Sequence, residues 1–141
     1  MEKRFLGVDL GQKRIGLAVT DPLNITCQAY MTIEFKNVNK LVKELKLVII
    51  EKNIGTIIFG IPLTLNGTDS KKTIETRAMI EKITAGLPTD INIDVEDEAL
   101  TTVDAHEILR QMGKKPSKNR DIVDQIAAQQ ILISYRNRKG L

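Results

Sequence analysis

Asp9 stands inside the stretch RFLGVDLGQKRIGLAVTDP, residues 4 to 22, where Phe5 to Leu10 and Ile15 to Val19 read as two apolar strands joined by a short polar turn. A carboxylate in such a strand is costly unless it is hydrogen-bonded, paired with a cation or bound to a metal, so its position asks what it faces. Further acids gather later in the chain. Between Leu87 and Leu109 there are seven, namely Asp90, Asp94, Glu96, Asp97, Glu98, Asp104 and Glu107, with no Lys or Arg among them. From Arg110 to Leu141 the balance reverses, with eight Lys or Arg against two acids, Asp121 and Asp124. An acidic focus beside a basic segment suits a site that holds metal cations while gripping a polyanion, although either run would also serve as a plain solvated face.

The elements that must position these groups follow from periodicity and punctuation. After the first two strands, Ala29 to Phe35 reads as a third. Val38, Leu41, Leu45, Val48 and Ile49 then mark Asn37 to Asn53 as an amphipathic helix with an Asn available as its cap. The continuous apolar run Thr56 to Gly60 predicts a strand buried on both faces, as in a parallel sheet. A helix from Asp69 or Ser70 to Ala85 stops at Gly86 with Pro88 beyond, and Ile91 to Asp97 is a fifth strand. Thr102 to Met112 is a helix ended by Gly113, KKPSKNR is a basic loop, and Asp121 to about Arg136 is the last helix. The order predicts an α/β fold: an antiparallel meander of three strands with two parallel additions, flanked by helices, the order of the ribonuclease H fold.

Composition sets the outer bounds. A chain of 141 residues with 42% hydrophobic content suits one domain, residues 1 to 141. Its start carries no apolar leader and no window is long enough to span a membrane, which predicts a soluble, unexported chain. A single cysteine, Cys27, excludes an internal disulfide and a cysteine-based metal site and fits a reducing cytoplasm. Aromatic residues make up 4% and Trp is absent, so no stacking platform for single-stranded bases is evident.

Four stretches in order carry a resemblance to a known family: GVDLGQKRIGLAVTDP, FGIPLTLNGTDS, EDEALTT and IVDQIAAQQILISY. Together they resemble the YqgF/RuvX family of Holliday-junction resolvases, also described as pre-16S ribosomal RNA nucleases. These belong to the ribonuclease H-like nucleases that use carboxylate-held divalent metals. The resemblance covers essentially the whole chain. It implies a metal-dependent nuclease that processes the 5′ end of precursor 16S ribosomal RNA in ribosome biogenesis, or resolves branched DNA. Phosphodiester hydrolysis needs an activated water and charge stabilisation at both the attacking and the leaving oxygen, which two metal ions can supply. Mg2+ and Mn2+ take oxygen ligands, so carboxylates fit. By resemblance the catalytic ligands are Asp9, Glu98 and Asp124.

Each assignment has a competitor. Asp9 would also serve as a strand-end acceptor for the turn, Glu96 and Asp97 compete with Glu98, and Asp124 would complement a helix dipole in the first turn. Asp121, three residues before Asp124, is either a fourth ligand or an acid capping the helix. Two departures from the family pattern stand out. Ala99 replaces an Arg, removing a fork-shaped cation near Glu98, and Asn66 stands where Asp is common. Lys13 and Arg14 are candidates for contact with the scissile strand, and Lys114, Lys115, Lys118 and Arg120 for tracking phosphates without reading bases. His106 reads as a surface or partly buried residue rather than a ligand. The expected partner is therefore nucleic acid, with no membrane, for a monomer or homodimer. Two alternatives remain: a non-catalytic RNA- or ribosome-binding module, and an actin-like nucleotide-binding domain, since DLGQKRIGLA also resembles the phosphate loop of actin-like ATPases and sugar kinases. Those enzymes close two lobes around a nucleotide, and 141 residues supply one.

Overall fold

Alternating apolar side chains build a five-stranded sheet in the order β3-β2-β1-β4-β5. A computed structural model describes residues 2–63, 70–98 and 105–141 of the chain. Strands β1 (Arg4–Leu10), β2 (Arg14–Thr20) and β3 (Cys27–Glu34) form the antiparallel meander, and β4 (Ile54–Ile61) and β5 (Asn92–Asp97) extend it in parallel beside β1. This is the mixed sheet that the element order predicts. Asp21, the acid of the TDP turn, explains the tight passage from β2 to β3. Its carboxylate accepts backbone N–H bonds from Leu23, Ile25 and Thr26, which hold its pKa down at about 2.

One face of the sheet carries the main core. Leu6 and Val8, Leu17 and Val19, and Ile57 and Phe59 are buried beneath helices α1 (Val38–Glu51) and α2 (Lys71–Ala85). Leu41, Val42, Leu45, Val48 and Ile49 form the buried stripe of α1, and Asn37 caps it by accepting from the Lys40 N–H at 2.8 Å. Buried aliphatic side chains at about 1.5–3 kcal/mol each hold such a helix in place. Ser70 caps α2, and buried Thr73 donates to the carbonyl of Pro62, tying the helix start to the end of β4. Gly86, the expected stop of α2, is not left-handed (φ −95°). A Cβ there would meet Val42 Cγ1 at 2.9 Å, so packing on α1 is what demands glycine.

The other face belongs to α4 (Arg120–Lys139), whose Ala128, Ile131, Leu132 and Tyr135 pack on Ala18 and Ile58. The helix lies almost on the backbone. A Cβ at Gly7 would sit 2.8 Å from the Ala128 carbonyl oxygen, and one at Gly16 would sit 2.0 Å from the Asp124 carbonyl oxygen. The helix is longer than the predicted Asp121 to Arg136, closing at Gly140 in the left-handed conformation (φ 72°). It starts at Arg120, so Asp124 sits in the second turn rather than the first. A short helix α3 (Ala105–Gln111) precedes it, and the basic loop between them contains a 3-10 turn, Pro116–Lys118. Ala99, Asn66, Asp69 and the expected helix residues 102–104 lie outside the described residues. Among the described residues no helix is long and apolar enough to cross a membrane.

Candidate active site

The parallel strands β1, β4 and β5 end on one edge of the sheet, the edge at which open α/β sheets place their ligand sites. Asp9 is the penultimate residue of β1 and pairs across the ladder with Gly16 of β2. Opposite residues of an antiparallel pair share a face, so Asp9 and Gly16 both turn toward α4. The missing side chain at Gly16 lets the second turn of α4 descend, with Asp124 Cβ only 3.0 Å from where a Cβ would stand. Glu98 follows the last residue of β5. Its Cγ lies 3.2 Å from the Cβ position of Gly60, a glycine that also accommodates Ile131 of α4. Three carboxylates distant in sequence therefore gather on the α4 side of one sheet edge.

Their electrostatics bear this out. The Asp9 pKa is pushed up to about 7, first by burial and then by the negative charges of Glu98 and Asp124. Burial also raises Glu98, with Asp97 adding to the rise. Asp124 is held differently: Arg14 Nε donates to its Oδ2 at 2.7 Å in a partly buried pair. In this arrangement no three Asp, Glu, His or Cys side chains among the described residues close around a single metal position. The donor set nevertheless consists of hard oxygens, and a half-buried carboxyl beside two acids is a group whose charge a divalent cation would compensate.

Side-chain alternation along β5 sorts its acids by face. Asp94 and Glu96 point to the α4 face as Glu98 does, but both are occupied. Tyr135 donates to Asp94 at 2.7 Å. Glu96, 1% exposed, accepts from Ser134 at 2.7 Å and Arg138 at 2.8 Å. These bonds fasten α4 to β5, and the Asp9 carboxyl is raised by the negative charge of Glu98.

Several expectations change. Arg14 is paired with Asp124 at 2.7 Å. Asp121 is exposed, its backbone carbonyl accepts from Thr32 Oγ1 at 2.6 Å, and it shares a surface hollow with Lys13, Arg14 and Glu34. Asn119, not Asp121, is the N-cap residue. The structure thus does not group Asp121 with Asp9. Lys114, Lys115 and Lys118 are exposed in the basic loop, whereas Arg120 lines a cavity of about 550 Å³ together with Asp124. His106 is exposed on α3 and lines the same cavity.

Lys72 escaped the sequence reading. It stands in the first turn of α2, and its positive charge draws down the pKa of both Asp9 and Glu98, which puts it beside them. One signal was present. Lys71 and Lys72 open a helix whose first turn has no acid, against the dipole preference for negative charge there.

Comparison with known proteins agrees with this geometry. The chain of a Thermus thermophilus RuvC bound to a Holliday junction substrate superposes with a TM-score of 0.58 at 10% identity, covering 97% of this chain and 96% of that one. A fowlpox virus resolvase bound to Holliday junction DNA gives 0.55 at 13%, covering 96% and 98%. At such identities the likeness establishes the shared fold, that of the RuvC-like resolvases. Sequence relatives are much nearer. A protein of Ruminiclostridium cellulolyticum named "Putative pre-16S rRNA nuclease" is 39% identical over 137 residues, covering 96% of this chain and 94% of its own. One of the same name from Clostridium botulinum (strain Eklund 17B / Type B) is 39% identical over 140 residues, covering 96% and 97%. The model of the RuvX family, described as Holliday junction resolvase, matches residues 3–138, and the chain belongs to that family.

Proposed function

We propose that this protein is a divalent-metal-dependent nuclease that hydrolyses phosphodiester bonds in structured nucleic acid, with the 5′ end of precursor 16S ribosomal RNA as its substrate. The observation that carries the reading is the half-buried Asp9 carboxyl, pushed up to about 7 beside Glu98 and Asp124 at the sheet edge where the parallel strands end. Strained acids of this kind mark functional sites, because a merely structural strand gains nothing from them. Nuclease membership of the family and the names of its relatives supply the reaction and the substrate class.

Asp9, Glu98 and Asp124 would hold Mg2+ or Mn2+, two ions if the site is fully loaded. Such ions supply an activated water and neutralise charge on the attacking and leaving oxygens. The remaining steps belong to this chain's own residues. Asp9, whose pKa is pushed up to about 7 by burial and the neighbouring acids, would have to give up its proton to serve as a ligand. Arg14 fixes the rotamer of Asp124 through the 2.7 Å bond. Lys72, beside Asp9 and Glu98, offers positive potential to the incoming phosphate, and Lys13 with the basic loop residues Lys114, Lys115, Lys118 and Arg120 grips the flanking backbone.

The test incubates purified protein with precursor ribosomal RNA fragments and with four-way DNA junctions in Mg2+, Mn2+, Ca2+ or chelator, beside Asp9→Asn. Cleavage of the RNA in Mg2+ or Mn2+, abolished by chelator and reduced by orders of magnitude in the variant, is the expected result. Cleavage confined to the junction transfers the reading to branched DNA, and full cleavage in chelator overturns it.

A further inference from the structure

We propose that the cleft between α3 and α4 is a phosphate subsite that takes an internal phosphodiester of the bound nucleic-acid strand, next to the scissile one, with Arg110, Arg120 and His106 as its ligands. The inference deepens the nuclease reading and rests on it for the identity of the strand. Arg110 and His106 were not among the residues the sequence singled out for nucleic-acid contact.

The cleft is built from two helical pairs. His106 and Arg110 stand four residues apart on α3, and Arg120 and Asp124 four apart on α4. Each pair therefore shares a helix face, and all four line one cavity of about 550 Å³. That volume falls within the roughly 300–1,000 Å³ typical of small-molecule sites and gives room for a phosphate with its sugar. Ser117 adds a hydroxyl to the wall, and Pro116 and Val123 provide apolar surface. Arg14 is the third guanidinium on the lining.

The charges there are only partly spent. Asp124 is answered by Arg14 at 2.7 Å. Arg110 reaches Glu107 at 3.4 Å in an exposed pair, an interaction of the kind that contributes little and yields to a better anion. Arg120 opens α4, whose first turn has no side-chain cap because Asn119 donates its amide to the Lys115 carbonyl at 2.8 Å instead. Arg120, at the positive end of the 20-residue α4, lines the cleft together with Arg110 and His106 of α3, so three N–H donors border the space a phosphate would take. The cleft opens on Asp124, so a phosphate seated in it is contiguous with the acidic edge. A phosphodiester one step along the strand satisfies that placement.

The experiment measures binding first, in chelator, where no metal chemistry takes part. A short single-stranded RNA with a 5′-hydroxyl is titrated with the parent protein, with Arg110→Ala, with His106→Ala, and with Lys43→Ala on α1 at the opposite sheet face as a control. For Arg110→Ala the expected result is about tenfold weaker binding and a salt slope smaller by roughly 1, with the control unchanged. His106→Ala should weaken binding in the same direction, by removing a further N–H donor. In Mg2+, Arg110→Ala should raise KM and spare kcat, since it removes an interaction made equally in ground and transition states. A slope unchanged in Arg110→Ala, or lowered equally by Lys43→Ala, overturns the subsite. The titrations are repeated with the same RNA carrying a 5′-phosphate, and a loss seen only there assigns the cleft to a strand terminus and overturns the internal placement. Failure of cleavage with every substrate, while the chelator binding results stand, would strike the nuclease reading alone.

Discussion

Replacing Asp9 by Asn tests the carboxylate edge through stability as well as through activity. Below pH about 4 both the folded and the unfolded chain hold the Asp9 proton, and the residue contributes nothing. Between about 4 and about 7 the unfolded chain has released the proton and the folded chain has not, because burial and the charges of Glu98 and Asp124 raise the folded pKa from 3.8 to about 7. Stability therefore falls as pH rises through this window, and the full penalty is in place above it. At 1.36 kcal/mol per unit the penalty is about 4 kcal/mol, and partial access of solvent at the sheet edge places the expected value at about 2–4 kcal/mol. Asn keeps the shape and removes the charge. In chelator at pH 8 the variant should melt higher than the parent by on the order of 10 °C, and at pH 4 the two should nearly coincide. Millimolar Mg2+ should then stabilise the parent, by about 2.7 kcal/mol at a hundredfold excess over Kd, and leave the variant almost unmoved. Thermal unfolding followed by circular dichroism at both pH values, with chelator and with Mg2+, reads all four quantities. A variant less stable than the parent at pH 8 in chelator, by a margin independent of pH, would show that Asp9 is a hydrogen-bonding strand residue and refute the argument.

Three further substitutions probe the scaffold and the grip. Gly16→Ala puts a Cβ 2.0 Å from the Asp124 carbonyl oxygen, a backbone atom that cannot swing aside, so a loss of about 1–3 kcal/mol or more is expected from urea unfolding at constant m, with activity lost alongside. Glu96→Gln removes the buried negative charge that answers Arg138 and should cost about 1–3 kcal/mol by the same measurement. Joint replacement of Lys114, Lys115, Lys118 and Arg120 by Ala should weaken binding alike for all sequences, and the salt slope should fall by roughly 1 for each phosphate the variant no longer grips; an unchanged slope moves the binding surface elsewhere.

The elements of this protein were legible because each is written locally. The apolar stripe of α1, the Asn37 and Ser70 caps and the doubly buried run of β4 act through neighbours three or four residues away, or through period-two alternation. So does Asp21, whose acceptor bonds span at most five residues. The end of α4 lies beyond the expected Arg136, and Arg138 in that extension is fastened to buried Glu96, 42 residues earlier on β5.

What the chain alone determined about the site was its chemistry: which carboxylates recur in the motif, and that acid and base lie in separate blocks. Which acids meet was decided by tertiary contact. Glu96 and Glu98 are equivalent on paper, and only the seating of Ser134 and Arg138 against β5 commits Glu96 to fastening α4. The partnership of Arg14 with Asp124 spans 110 residues, and the placement of Lys72 beside Asp9 depends on how α2 follows β4. Charges act on one another through space and fall off with distance whatever their separation along the chain. Their consequences are therefore fixed only when the sheet, with glycine at positions 7 and 16, lets α4 come down onto it.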